Sequence, residues 1–195
     1  MDIVVTGYAG LDGSRKIYHH MEYRRKLLMK YSECFFGVLE SGSREASGGG
    51  SEGDSPLERR FQRERDKGLA AAASMDGGVL AALWQLLKGR RLGGTYDLSK
   101  IPVLQQTIEV CEMFELNPYR LYAPSCRVWL AEEPGEILSD AAGAGVPFAV
   151  IGYTAGGAAI RRTDTDVPSS LRRPEGDELY RLSGFREDQS LNCRK

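Results

Sequence analysis

Apolar residues along the chain fall into short β-branched runs and longer stripes at helical spacing, and the two kinds alternate. Ile3-Val4-Val5-Thr6 reads as a strand. Gly7, Gly10 and Gly13 follow it, and Ser14 stands where an N-cap would open the next element. From about Arg15 to Phe36, Ile17, Met21, Leu28, Tyr31 and Phe35 recur near helical spacing and predict one helix with an apolar face. Between Ser41 and Pro56 the chain collapses to Ser, Gly and acidic residues, including Gly48-Gly49-Gly50. That composition buries too little apolar area to offset the entropy of ordering, so a flexible surface loop is expected. Leu57 to Lys67 is charged enough to predict a solvated helix, ended by Gly68 and followed by the alanine run Ala70 to Ala73.

Beyond Gly77 the pattern becomes regular. Val79 to Lys88 is apolar on most sides and predicts a buried helix, closed by Gly89 and Gly93-Gly94. Thr95 to Leu98 reads as a strand. Pro102 suits a first helical turn, and Leu104, Ile108, Cys111 and Phe114 then form a stripe. Asn117-Pro118 repeats the cap-plus-proline device for a short helix through Tyr122. Cys126 to Ala131 predicts a strand centred near Trp129, Gly135 to Ala142 a helix, and Pro147 to Thr154 the clearest strand of all. Gly156-Gly157 followed by Ala158 to Arg162 suggests a hairpin with that strand, and Asp177 to Leu182 a last strand. Helices and strands alternate while a hairpin intrudes, so the predicted fold class is α+β, a mixed β-sheet sandwich with helices.

Composition narrows the function classes. A chain of 195 residues with 42% hydrophobic side chains is long enough for one well-buried core. A net charge of -1 gives no electrostatic case for nucleic acid, and Arg24-Arg25-Lys26 and the Arg59 to Lys67 region, interleaved with acids, read as solvated helix faces. Cys34, Cys111, Cys126 and Cys193 are too widely spaced for a zinc or CxxC site. No apolar run is long enough to span a bilayer and no leader pattern opens the sequence, so a cytoplasmic chain with reduced thiols is expected, with no membrane partner.

Candidate chemistry is sparse. The loop from Gly7 to Ser14 joins a strand to a helix, where N–H groups and the helix dipole favour anions, and Gly10, Gly13 and Ser14 are its candidate phosphate contacts. It lacks both the P-loop lysine and a dinucleotide GxG start, so a plain strand-to-helix turn stands beside that reading. His19 and His20 are adjacent and point roughly 100° apart on a helix, so they do not share one metal. Asp12, Asp76, Asp97 and Asp140 each sit where a cap or turn favours aspartate, and no metal site is expected from them. Cys111 and Cys126 read as core residues, whereas Cys193, beside Arg194 and Lys195, is a candidate reactive thiol.

Asp76-Gly77-Gly78-Val79 with Leu83-Trp84, Ile101-Pro102, Glu109-Val110-Cys111, Leu116-Asn117-Pro118, Leu121-Tyr122 with Ser125, and the run from Ala144 to Gly152 together resemble the C-terminal domain of the aminoimidazole ribonucleotide (AIR) synthase superfamily. That superfamily includes the purine-pathway cyclo-ligase, formylglycinamidine ribonucleotide synthase, selenophosphate synthetase, thiamine monophosphate kinase and a hydrogenase maturation protein, and Ile3 to Ser14 looks closest to the hydrogenase-maturation form. The resemblance implies an α+β domain that, in complete members, packs behind an N-terminal ATP-binding domain and forms the substrate side of the site. It implies four stretches: an entry segment (1–40), a low-complexity insert with the charged helix (41–68), the C-terminal-like domain (69–183) and a polar tail (184–195).

It also implies a loss. The family usually reads His-Asp, a variable residue, Thr or Ser, often Glu, then Gly-Gly; here Ala72, Ala73, Ser74, Met75 and Asp76 occupy those positions, leaving only an acidic residue before the glycines. A free-standing domain without catalysis of its own is therefore expected, acting as a binding or assembly module or persisting as a remnant. The alternative is the substrate-side half of a split ATP-dependent enzyme, in which ATP and magnesium bind only when a nucleotide-binding chain supplies the other half. Asp76, Gly77, Gly78 and Ser125 join the loop residues as candidate substrate contacts, Cys193 links weakly to hydrogenase maturation, and apolar surface left uncovered predicts a homo-oligomer.

Overall fold

In the computed structural model the described residues are 1–40, 55–74, 77–167 and 169–185. The β-branched run at the start becomes β1 (Asp2–Thr6), placed in the middle of a seven-stranded sheet. β4 (Ala123–Ala131) and β5 (Phe148–Ala155) flank it, both antiparallel. β2 (Ala70–Ala73) extends the sheet beyond β4, and β3 (Gly93–Tyr96), β6 (Ile160–Arg162) and β7 (Ser169–Ser170) extend it beyond β5. Only β3 and β6 pair in parallel, so the sheet is mixed, as expected of the predicted α+β class.

Both faces of β1 are buried, which explains its unbroken apolar sequence. Ile3 and Val5 face α5 (Gly78–Gly89), packing with Val128, Leu130, Leu83 and Leu87. Val4 faces the other way, with Trp129, under α4 (Pro56–Asp66) and α7 (Gly135–Gly143). The fully buried Trp129 keeps its one donor satisfied, because Nε1 donates to Thr6 Oγ1 at 3.0 Å. A second core gathers α1 (Leu11–His19), α2 (Met21–Leu28), α3 (Gly37–Glu40) and α6 (Gln105–Met113) around Ile17, Tyr18, Leu27, Phe36, Val110 and Leu121.

Several expectations are corrected. The single helix expected from Arg15 to Phe36 is two helices and a 3-10 turn at Glu33–Phe36, broken where His20 is extended (φ -79°, ψ 120°). Its start is Leu11, capped by left-handed Gly10; Ser14 lies inside the helix, where its hydroxyl donates to the Leu11 carbonyl at 2.8 Å. The charged helix is not merely solvated: Leu57 and Phe61 are buried, Phe61 meets the Trp129 ring edge-on at 5.5 Å, and Arg60 reaches Asp140 at 2.6 Å. Glu58 also pairs with Arg127 of β4.

The expected hairpin does not form. β3 occupies the β5 edge, so the chain after Gly157 passes round it and pairs with β3 instead. Gly93-Gly94, read as helix terminators, form the start of that strand because backbone carbonyls lie within 2.5 to 2.8 Å of where their Cβ atoms would be. Helix α6 turns Thr107, Val110 and Cys111 inward, rotating the expected stripe, and Leu104 is its cap. Asp177 to Leu182 is a 3-10 turn (Glu178–Arg181), not a strand. The flexible loop expected at Ser41 to Pro56 lies outside the described residues up to 54; Ser55 caps α4 and Pro56 opens it.

The β5–β3 contact is tight enough to test. A Cβ on Gly152 would sit 1.9 Å from the Thr95 carbonyl oxygen, with backbone on both sides. Gly152→Ala is expected to cost at least about 2 kcal/mol by forcing the strands apart. Chemical denaturation reads this as a lowered midpoint; an unchanged midpoint would contradict the register.

Candidate functional site

Two of the sequence-named segments converge on one stretch of backbone, residues 118–125. The Gly7 to Ser14 loop approaches it first. Gly7 (φ +88°) has no room for a Cβ, which would lie 2.5 Å from the Ser125 carbonyl, and a Cβ on Gly10 (φ +70°) would lie 2.7 Å from that of Pro118. Gly13 faces the Leu121 side chain, 2.5 Å from its Cγ by the same measure. From the opposite side Gly77 (φ +113°) and Gly78 (φ +65°) open α5, and a Cβ on Gly78 would meet the carbonyls of both Tyr119 and Leu121 at 2.7 Å. Left-handed backbone and direct main-chain contact explain these glycines without a ligand.

Three of the loop's donors are used internally. Gly7 N–H donates to Pro147 O at 2.8 Å, Ala9 N–H to Pro102 O at 2.9 Å, and Gly13 N–H to Tyr122 O at 2.7 Å. Ser14 Oγ is buried and shares a 3.0 Å hydrogen bond with Thr107 Oγ1. These bonds are those of a strand-to-helix turn.

Ser125 is held by a partner that sequence reading had assigned elsewhere. Its Oγ donates to Asp12 Oδ2 at 2.6 Å and its N–H donates to the same oxygen at 3.1 Å. Asp12 therefore clamps β4 to α1 across the sheet end, and its other oxygen lies 3.9 Å from Arg15. Asp97 accepts from Ser99 and Asp140 from Arg60, so the aspartates do not converge; among the described residues no three His, Cys, Asp or Glu side chains are grouped as metal ligands would be. Cys111 and Cys126 are core residues, and burial pushes both thiols up to about 12. Asp76 and Cys193 lie outside the described residues.

One group at the convergence had no signal as a site. Asp177 is 4% exposed, its Oδ1 accepts from Leu179 N–H at 2.9 Å and Tyr122 N–H at 3.2 Å, and Oδ2 has no hydrogen-bond partner among the described residues. Burial pushes its carboxyl up to about 6, the N–H groups of Leu179 and Tyr122 oppose that, and neighbouring Glu178 adds to the rise. The more distant Gly77 N–H, at the start of α5, acts in the same sense as the first two. The sequence offers Asp177 only as the start of an expected last strand, so only the fold could bring it beside the α5 N-terminus.

A mixed sheet entered through its central strand, a glycine-opened helix packed on one face, and a Gly-rich turn leading into a helix pair define an α+β fold. No protein-family model matches the chain, and no curated protein matches its sequence. Solved structures do share its fold: Escherichia coli HypE at TM-score 0.60 and 19% identity, over 91% of this chain and 51% of that one. The HypE–HypF complex matches at TM-score 0.59 and 15% identity, over 89% and 52%, and thiamine-monophosphate kinase from Stenotrophomonas maltophilia at 0.53 and 16%, over 85% and 51%. The chain thus spans about half the length of these structures. Among the described residues no helix is long and apolar enough to cross a membrane.

The sign of the Asp177 effect follows from its raised value. The folded state holds the proton more tightly than the unfolded chain, so the contribution of Asp177 to stability is greatest below about pH 4, declines as pH rises to about 6, and is flat above. Asp177→Asn keeps the acceptor and removes the buried charge. It is expected to flatten this decline and to match or exceed the parent at pH 7, by on the order of 2 kcal/mol. Thermal unfolding across pH checks it; a variant with the parent's pH slope would contradict the assignment.

Proposed function

We propose that this chain is a binding or assembly module on the AIR synthase-related fold, without catalysis of its own. The observation that carries the reading is the approach to α5: a strand of four alanines, Ala70 to Ala73, with Ala73 fully buried, then Ser74. Methyl groups neither exchange protons nor bind cations, so the strand that leads into α5 supplies no acid–base group of its own. Gly7, Ala9 and Gly13 of the loop spend their N–H groups on internal carbonyls, which on this reading gives the turn a structural role. On this reading the four stretches, 1–40, 41–68, 69–183 and 184–195, serve one scaffold, since β1 lies between β4 and β5.

A second reading is favoured by the complexes of a protein of similar fold. HypE, of similar fold and about twice this chain's length, is described in complex with ATP and in complex with HypF. By analogy a separate nucleotide-binding chain completes this one, Gly77, Gly78 and Ser125 facing the shared site and ATP and magnesium held by the partner. The sheet leaves apolar surface for such a contact: by register Phe148 and Tyr153 of β5 share the face of Thr6 and Asp2, and they remain 40% and 60% exposed. The same surface supports homo-oligomer formation when no partner is present. Residence in the cytoplasm belongs to this proposal too.

The purified chain is expected to show no magnesium-dependent ATP hydrolysis above a boiled control. Turnover by the chain alone would end the module reading. Affinity capture from the native cell is expected to recover a nucleotide-binding chain if the split reading holds, and recovery of none would remove that reading. Light scattering is expected to show self-association that Tyr153→Lys weakens; a monomer at high concentration would contradict it.

A further inference from the structure

Beside the Asp12–Ser125 clamp an open cleft of about 600 Å³ runs between the outer face of α1 and the start of β4. Asp12, Arg15, Lys16 and His19 fall at i, i+3, i+4 and i+7, so all four turn to this side, and His20 at the helix end joins them. The positive groups outweigh the negative. Asp12 spends one oxygen on both Ser125 donors, and Glu40, next to the lining residue Leu39, is engaged by Arg24 at 2.9 Å and by the Tyr18 hydroxyl at 3.1 Å.

The cations are placed rather than free to roam. Lys16 Nζ stands 4.0 Å from the centre of the Tyr122 ring, which forms one wall. Arg15 is anchored by Asp12 and by the Val38 carbonyl at 3.5 Å. The His20 ring packs against Tyr23 and Phe185 at 4.9 and 5.3 Å, and its buried Nδ1 has no hydrogen-bond partner among the described residues. Leu39, Pro124 and Phe185 supply apolar floor and wall. A concave, largely apolar surface with a few convergent charged groups is the usual chemistry of a small-molecule site.

We propose that this cleft binds a small organic acid, its oxyanion held by Lys16, Arg15 and His19 and its aromatic or alkyl body laid against Tyr122, Pro124 and Leu39. The proposal goes beyond the module reading and requires no partner chain, so it stands or falls on the chain alone. It assigns binding only, with no reaction.

Fluorine NMR of the full chain titrated with para-fluorophenyl phosphate, para-fluorobenzoate and para-fluorophenol tests it. Both anions are expected to bind with millimolar or tighter dissociation constants and the phenol to bind at least about tenfold more weakly. Lys16→Met, which retains the stem on Tyr122, and His19→Gln are each expected to weaken anion binding about fivefold to tenfold. Lys100→Met, at an exposed lysine elsewhere, is expected to change nothing. Both cleft positions are exposed, so the variants keep the fold. The proposal is overturned if neither anion binds at about 10 mM, if the phenol binds as tightly as the anions, or if Lys16→Met and His19→Gln leave the affinity unchanged.

Discussion

Close approach of main chain to main chain around residues 118–125 is the constraint on which the rest of the molecule depends. Two turns, one leaving β1 and one opening α5, press on that stretch from opposite sides, and at Gly7, Gly10 and Gly78 a methyl group would fall within 2.8 Å of a backbone carbonyl. Interiors packed at crystal density transmit such a conflict to their neighbours. The sheet core under α5 and the helical core around α1 and α6 meet here, so each core's position is set by the same segment. Polar groups reinforce the junction: Asp12 ties α1 to β4, and Asp177 ties the C-terminal turn to Tyr122.

Much of the fold was legible because its signals are local. β1, α5, α7, β4 and β5 each announce themselves by apolar runs or helical stripes, and their mixed pairing agrees with the expected α+β class. Failures arose where distant backbone decided the outcome. The alanine run 70–73 has poor strand propensity yet pairs along β4, because small side chains fit between the sheet and α4. The lost hairpin depended on β3 taking the β5 edge first. Ser14 looked like a cap because nothing local reveals Thr107, 93 residues away.

The candidate site was legible as a set of glycines but not as a piece of physical chemistry. Sequence alone places Gly77 and Gly78 beside lost family residues, and the structure adds why they persist: left-handed backbone and carbonyls at contact distance need no ligand. Neither Asp12–Ser125 nor the buried Asp177 carried a motif, since each is a pairing across at least 55 residues. The likeness to half-length portions of HypE and thiamine-monophosphate kinase concerns fold, and the function remains a proposal built on it.

If the glycine turns are packing devices, their N–H groups belong to the most protected part of the molecule. Native-state hydrogen exchange of the Gly7, Ala9 and Gly13 amides measures this directly. The account predicts exchange only through global unfolding, with protection equal to that of the Val4 and Val128 amides in the central strands. Rapid exchange at Gly7 and Gly13, at rates typical of an exposed loop awaiting a ligand, would contradict it.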